Sequence, residues 1–283
     1  MSEEIASMKI DNGGLKTLLK RTARKQFVGG KPQDQVIACL IKFETFDEKT
    51  YATTTSLVRD GKTSLSHFRC PCGSDAKQGE IPIPDIDRLL GVLAVHGSSV
   101  NISYDGKLRI KSGTKQTTLT AQYGGLAFPH STETIKEWAD KSSQLSQVIH
   151  VGEVNGYKMR SGEIREPFFS MTVAANAIHE ATRCDAINNQ RLNRYRFKQH
   201  SKKVTVSVGQ ELKGATETIL ANNENGKGWE WAFEGGFEHI VDGMTGEVKL
   251  HFIDFRPENQ GIRVIMDLGV AGWVYQAGLL EVE

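Results

Sequence analysis

The sequence contains the same run of secondary structure twice, and this repeat constrains the fold more than any other feature. Residues 80–121 read as strand, helix, then three strands, and residues 229–282 read in the same order. A shared order at near-constant spacing implies one small fold used twice, packed from helices and sheets, rather than one large unrepeated domain. In the first copy Ile86, Leu89, Leu90 and Leu93 form the i, i+3, i+4, i+7 stripe of an amphipathic helix, with Pro84 ahead of it and Gly97 behind. Residues 100–104 then alternate with period two, Asp105-Gly106 turns, 108–110 returns, Ser112-Gly113 turns again, and 115–121 gives a third strand. In the second copy Trp229, Trp231 and Phe233 lie on one face of a strand. Phe237, Ile240, Val241 and Met244 repeat the helical stripe, and strands follow at 248–255, 262–266 and 273–280. The two stripes begin 151 residues apart, and the strands after them, at Val100 and Val248, 148 apart.

The front halves correspond as well. Residues 12–26 read as a helix, followed by strands at 36–43, 51–58 and 64–69. Residues 173–190 read as a helix, followed by strands at 194–199, 203–208 and 215–221. Each copy therefore has two helices packed on antiparallel sheets, which is an α+β fold. The domains are expected at 1–123 and 169–283. The connector, 124–168, holds Gly124-Gly125, Pro129 and a short helix at 133–140.

The first helix carries the main chemical signal. At about 100° per residue, Lys16, Lys20, Arg21, Arg24 and Lys25 spread over one side and Leu15, Leu18 and Leu19 over the other. No acid stands between Gly13 and Gln26 to pair with those cations. A solvated helix face normally mixes both signs, so this one points to a polyanion. In the second copy Val173, Ala174, Ala177, Ile178, Ala181 and Cys184 form the apolar arc, with His179 and Arg183 opposite and Arg191 just beyond. Arg183 and Arg191 are the secondary candidates for the same contact. The patch is local, because 35 Lys+Arg against 34 Asp+Glu leave a net charge of only +1.

Nothing in the chain reads as catalytic. There is no G-x-S-x-G, no Walker loop and no dinucleotide fingerprint. His96, His150, His200, His239 and His251 are scattered without metal spacing, and Asp85 and Asp87 flank a helix start as caps do. Cys70-Pro71-Cys72 is too tight for a metal knuckle. Cys39 and Cys184 are expected to be buried thiols and Cys70 and Cys72 loop thiols. No enzyme activity, cofactor or metal is expected. No apolar run approaches the ~18 residues of a membrane span, and the acidic start MSEEIASMKI is unlike a secretory leader. These features predict a cytoplasmic protein that makes no membrane contact.

The segments IPIPDIDRLLGVLAVHGSSVNISYDGKLRIKSGTKQTTLT with LAFP, and KGWEWAFEGGFEHIVDGMTGEVKLHFIDF with GIRVIMDLGVAGWVYQAGLL, carry a family resemblance. The chain resembles DNA sliding clamps, most nearly the T-even phage type and more distantly proliferating cell nuclear antigen. It departs from the compact phage clamps in its greater length, with the surplus in 71–79, the connector and the N-terminal residues. The resemblance implies a ring-forming homotrimer of two-domain subunits, with helices lining the hole and sheets forming the outer wall. Such a ring encircles duplex DNA without reading bases and tethers the replicative DNA polymerase as a processivity factor. An ATP-dependent clamp loader opens it, and it works in the host cytoplasm if the protein is viral. It also implies a subunit contact in which the strand of Lys115, Thr117, Thr118 and Leu119 pairs with the strand of Thr216, Thr218 and Ile219 of the next subunit. A partner groove is implied between Leu126, Phe128 and Pro129 of the connector and Tyr275, Leu279 and Leu280 near the chain end. Two other readings compete: a viral capsid or tail protein built from duplicated β-rich domains, and a nuclease using scattered acids.

Overall fold

The computed structural model describes residues 5–23, 26–28, 31–33, 39–46, 48–58, 64–77, 79–120, 157–158, 164–187, 194–210, 214–222, 228–234, 240–241, 243–258 and 261–277. The chain divides into two compact units. The first comprises Met1–Ala23, Val36–Ser56 and Ser66–Ser142, and the second Arg24–Gln35, Leu57–Leu65 and Ser143–Glu283.

The chain opens with β1 (Ala6–Asp11) and α1 (Asn12–Thr22), then a short ribbon of β2 (Gln26–Val28) and β3 (Lys31–Gln33). The first unit continues with β4 (Cys39–Phe46), β5 (Lys49–Val58), β6 (Ser64–Pro71), β7 (Ile81–Ile83), α2 (Ile86–Ala94), β8 (Ser99–Tyr104), β9 (Lys107–Ser112) and β10 (Lys115–Thr120). Its strands run in the orders β1-β8-β9-β10 and β6-β5-β4-β7. A small pair, β11 (Tyr157–Lys158) and β12 (Ile164–Arg165), precedes the second copy. That copy has β13 (Phe169–Ala174), α3 (Ala175–Ile187), β14 (Arg194–His200), β15 (Lys203–Gln210), β16 (Gly214–Asn222), β17 (Trp229–Glu234), β18 (Glu247–Asp254), β19 (Ile262–Asp267) and β20 (Gly272–Ala277). Its strand orders are β13-β18-β19-β20 and β16-β15-β14-β17.

Eight strands of each copy correspond in topology one for one, and the β2-β3 and β11-β12 pairs lie outside the repeat. The register repeats too: Ile10 lies opposite Val100 and Val173 opposite Val248. Two residues on, the Asn12 N–H donates to the Ser98 carbonyl at 2.8 Å and the Ala175 N–H to the Gly246 carbonyl at 2.9 Å. Val100 and Val248, like Ser98 and Gly246, lie 148 residues apart, and Ile10 and Val173, like Asn12 and Ala175, lie 163 apart, so the α+β duplication expected from the sequence is the architecture observed.

Period-two burial explains why these strands form. In β1 Ala6, Met8 and Ile10 point inward and Ser7 and Lys9 outward, so a one-residue slip would expose the whole apolar set. In the first unit α1 buries Leu15, Leu18 and Leu19, α2 buries Ile86, Leu89 and Leu93, and the helices touch each other. The second unit fills the matching space with rings. Phe252 sits 4.7 Å from Trp229, 5.5 Å from Phe197, 6.0 Å from Phe169 and 6.2 Å from Phe233, centroid to centroid.

Some sequence expectations shift. The helix expected over 12–26 ends at Thr22, and Gln26 opens β2. Val173 and Ala174 finish β13 instead of starting a helix. Cys70 is no loop thiol: it is 5% exposed on β6, and burial pushes its thiol up to about 12. Cys72 bridges to β1 opposite Ile10, and burial raises it to about 11. Cys39 is buried as expected. Ile240 and Val241 are buried and helical, whereas Phe237 and most of the connector lie outside the described residues.

Candidate nucleic-acid and subunit surfaces

Helix α1 starts from Asp11, whose carboxylate accepts the Gly14 N–H at 2.7 Å. Gly14 lets the helix approach β6 closely, because a Cβ there would stand 2.7 Å from the Cys70 sulfur and force it to shift. Lys20 is exposed on the side away from the leucines, and Lys16 is half-buried at the margin of their stripe. Arg21 departs from the expected cationic face, at 8% exposed. Its helical position lies only about 60° from Leu18, at the margin of the packed stripe, and packing claims it. Thr22 anchors the end of the helix, with its hydroxyl 2.8 Å from the Leu18 carbonyl and 2.6 Å from the Thr54 hydroxyl of β5. Lys20 also lies in the last turn, where the helix dipole favours a cation. Arg24, Lys25 and Arg191 lie outside the described residues. Arg183 lies on α3 with its side chain outside them. The described outward positions of α3 include Asn176 and Glu180.

The C-terminal end of α2 is held by residues that sequence reasoning passed over. The Asn12 amide nitrogen lies 2.9 Å from the Leu93 carbonyl, 3.2 Å from that of His96 and 2.7 Å from that of Gly97, capping carbonyls the helix leaves open. His96 is buried, with Nδ1 2.8 Å from the Ser112 hydroxyl and Nε2 3.0 Å from the Thr117 hydroxyl. A chain of polar contacts thus ties the start of α1 to β9 and β10. The only sequence cue for Asn12 was a polar side chain between an apolar strand and two glycines.

The two strands expected to form the subunit contact are both sheet edges. Among the described residues β10 pairs only with β9, and β16 only with β15. On β10 Lys115 and Thr118 are exposed and Thr117 half-buried, and the Lys115 ammonium donates to the Val95 carbonyl at 3.1 Å. Leu119 points the other way, 6% exposed in the core of its own unit. On β16 Ile219 is 54% exposed and Thr218 half-buried. Thr216 is placed by backbone alone. Of the expected partner groove, Leu126, Phe128, Pro129, Leu279 and Leu280 lie outside the described residues. Tyr275 pairs with Ile265 through its backbone, its side chain outside them.

One ionic cluster sits on β4 and β6. Arg69 reaches both oxygens of Glu44 at 3.2 Å, and His67 Nε2 lies 3.0 Å from the same carboxylate. Burial pushes Glu44 up, but His67 and Arg69 together hold its carboxyl below the usual range. Burial lowers His67 despite Glu44. Among the described residues no group of three or more His, Cys, Asp or Glu could hold a metal ion, and no helix is long and apolar enough to cross a membrane.

Among solved structures the chain is similar to bacterial sliding clamps. The Caulobacter crescentus beta sliding clamp matches at 13% identity over 99% of this chain and 68% of that one, with a TM-score of 0.63. A DNA polymerase III subunit beta sliding clamp from Bartonella birtlesii matches at 13% identity, with the same coverages and a TM-score of 0.62. The DNA polymerase III beta subunit from Thermotoga maritima matches at 13% identity over 98% of this chain and 65% of that one, with a TM-score of 0.56. No family profile matches the sequence, and no curated protein sequence does. At these identities the likeness establishes the fold: two copies of the sliding-clamp domain in one chain.

Proposed function

We propose that this protein is a DNA sliding clamp, a processivity factor that encircles duplex DNA and tethers a replicative polymerase. The observation that carries the reading is the division of α1 in a clamp fold: leucines packed inward, Lys20 outward, Lys16 at the margin of the leucine stripe, and no acid on the helix to neutralise them. Cations on a helix that meets phosphates need no base readout, and topological enclosure lets weak contacts suffice. Two unlike open edges, β10 and β16, support a head-to-tail homotrimer. The domains are then 1–123 and 169–283, joined by the connector 124–168. T-even-type phage clamps are among its proposed kin, with proliferating cell nuclear antigen more distant. An ATP-dependent loader opens the ring, and the clamp itself does no chemistry and needs no cofactor. Leu126, Phe128 and Pro129 with Tyr275, Leu279 and Leu280 receive polymerase and loader peptides, in the cytoplasm of the cell or of a viral host. Arg24, Lys25, Arg183 and Arg191 complete the DNA contact.

The test is primer extension by the cognate polymerase and loader, with sedimentation of the same samples. Lys16→Glu with Lys20→Glu should cut stimulation strongly while the trimer persists. Phe128→Ala with Leu280→Ala should weaken binding of the polymerase C-terminal peptide at least about tenfold. A wild-type chain that sediments as a monomer at micromolar concentration, or full stimulation by the double Glu variant, would refute the reading.

A further inference from the structure

The outward face of the β1-β8-β9-β10 sheet carries a cleft of about 350 Å³ that lies wholly within the first unit. Strand register sets its floor in two rows. Lys9, Asn101, Lys111 and Gln116 stand opposite one another across the four strands, and Ser7, Ser103 and Arg109 form the row beside them. The apolar residues of the same strands, Met8 and Ile102 among them, point the other way into the core. A tight turn after β6 supplies one wall. The Gly73 N–H donates to the Lys9 carbonyl at 2.8 Å and the Lys77 N–H to the Ser7 carbonyl at 2.9 Å. Asp75 stands exposed between those two ties and lines the cleft.

Charge across this floor is unbalanced. Neither row holds an acid, although opposite charges are the favoured cross-strand neighbours. Arg109 is already committed to Asp105 at 2.6 Å. The ammonium groups of Lys9 and Lys111 make no hydrogen bond or ion pair among the described residues, and both side chains are exposed. Two strand spacings, roughly 10 Å, separate their backbones. Two lysine side chains span that gap, with the Asn101 amide midway between them. The second copy shows the balanced alternative. Its matching row sets Lys249 opposite Asp267, a cation met in register by an acid, where the first copy sets Asn101 opposite Lys111.

We infer that this cleft binds a small polyhydroxylated phosphate ester, a sugar phosphate by chemical class. Lys9 and Lys111 hold the phosphate over Asn101, whose amide donates to it, and Ser7, Ser103, Gln116 and Asp75 meet the hydroxyls. A phosphate monoester carries about −1.5 to −2 charges at neutral pH, enough to satisfy both lysines, whereas a single carboxylate would leave one unmatched. Lysine serves phosphate as a point charge, and the guanidinium fork that would favour a planar carboxylate is taken by Asp105. Among the described residues no aromatic ring lines the cleft to stack a base, and no exposed apolar side chain lines it to anchor a peptide. All of these residues belong to one unit and none lies on α1. Binding therefore needs neither ring nor DNA and stands apart from the clamp reading.

The experiment is isothermal titration calorimetry of the full chain with glucose 6-phosphate, alongside glucose, inorganic phosphate and a phosphoserine peptide. Glucose 6-phosphate should fill a single site at least about tenfold more tightly than inorganic phosphate, and glucose should give no binding heat. Lys9→Gln and Lys111→Gln should each weaken its binding about tenfold. Asn101→Asp places a carboxylate between the two lysines. It should abolish binding while thermal melting shows a fold at least as stable as the parent. Lys249→Gln, in the matched pair of the second copy, should leave the affinity unchanged. The inference is overturned if glucose 6-phosphate shows no saturable binding at millimolar concentration, if Asn101→Asp or both lysine variants bind it as the parent does, or if inorganic phosphate binds equally well. Tighter binding of the phosphoserine peptide would also overturn it, and would assign the cleft to a modified partner protein.

Discussion

The two units share eight corresponding strands each and differ in what fills them. Where β1 and β8 set Ala6 opposite Tyr104, β13 and β18 set Phe169 opposite Phe252. Where the first unit starts its leading helix with Asn12, whose side-chain amide caps α2, the second starts with Ala175, whose methyl side chain offers no donor. Where α1 turns Lys20 outward and holds Lys16 at the margin, α3 turns out Asn176 and Glu180. Alternation and hairpin geometry are enough to fix the path of the chain, and they leave side-chain chemistry at matching positions free to diverge. The first unit specialised in polar fastening around an aliphatic core and the second in a dense aromatic centre.

The comparison of the two edges gives the largest expected effect. Thr118→Pro and Thr218→Pro each obstruct one edge strand. Either alone should convert the proposed trimer to a monomer in sedimentation, since one faulty edge per chain breaks every contact of such a ring. An equimolar mixture of the two variants should stop at dimers, because the intact β16 of one can meet only the intact β10 of the other. A trimer from either single variant would sever these edges from assembly.

The aromatic centre comes next. Phe252→Ala should cost about 3–5 kcal/mol in denaturant unfolding, because four rings lose a common neighbour. Tyr104→Ala at the matching, half-buried position should cost well under that. Equal costs would show that the two cores do not differ in energetic weight. Asn12→Ala should follow at about 1–3 kcal/mol, the penalty for leaving buried carbonyls without a donor. Ala175→Asn should gain nothing comparable.

The smallest effect is on pH dependence. Burial holds His67 below its usual value of about 6.5, helped by Arg69 and opposed by Glu44. Burial likewise lowers His251, which pairs with the Ser170 hydroxyl at 2.8 Å, with Lys249 adding and Asp267 opposing. A histidine kept neutral in the fold takes up protons more readily when unfolded. Its stabilising effect is therefore full above about pH 6.5 and is lost as pH falls toward the lowered value. Glu44, lowered by His67 and Arg69 against burial, gives up its contribution further down, below about pH 4.5. Melting temperature should drop by a few degrees between about pH 7 and pH 5. His67→Gln and His251→Gln should each flatten part of that slope, and a slope unchanged in both would place its origin elsewhere.

Much of this was legible in advance because it rests on short-range pattern. The stripe from Ile86 to Leu93, the Asp105-Gly106 turn and the alternation of Val100 and Ile102 each specify an element locally, and their recurrence exposed the duplication. What escaped depends on partners far along the chain. Strands β1 and β13 hold six residues each, ASMKID and FSMTVA, too few for a distinct signal until β8 and β18 pair with them. Asn12 acts on carbonyls more than eighty residues away. Arg21 departs from expectation because a helical wheel gives an angle but not how far around the helix the packed surface reaches. Cys70 followed from reading Pro71 as the start of a loop, when it is the last residue of a strand.

In the proposed assembly each chain offers two of its edge strands, β10 and β16, and these are not alike. In the language of polymer chemistry that is a monomer with two different functional groups, one donor end and one acceptor end. Such a molecule cannot form a face-to-face pair that satisfies both ends. It can only grow in one direction, and growth stops when the first end meets the last. The number of subunits at closure is then a matter of the angle turned per link rather than of contact strength. A fragment bearing a single edge would act as a chain stopper, terminating growth at low molar ratio.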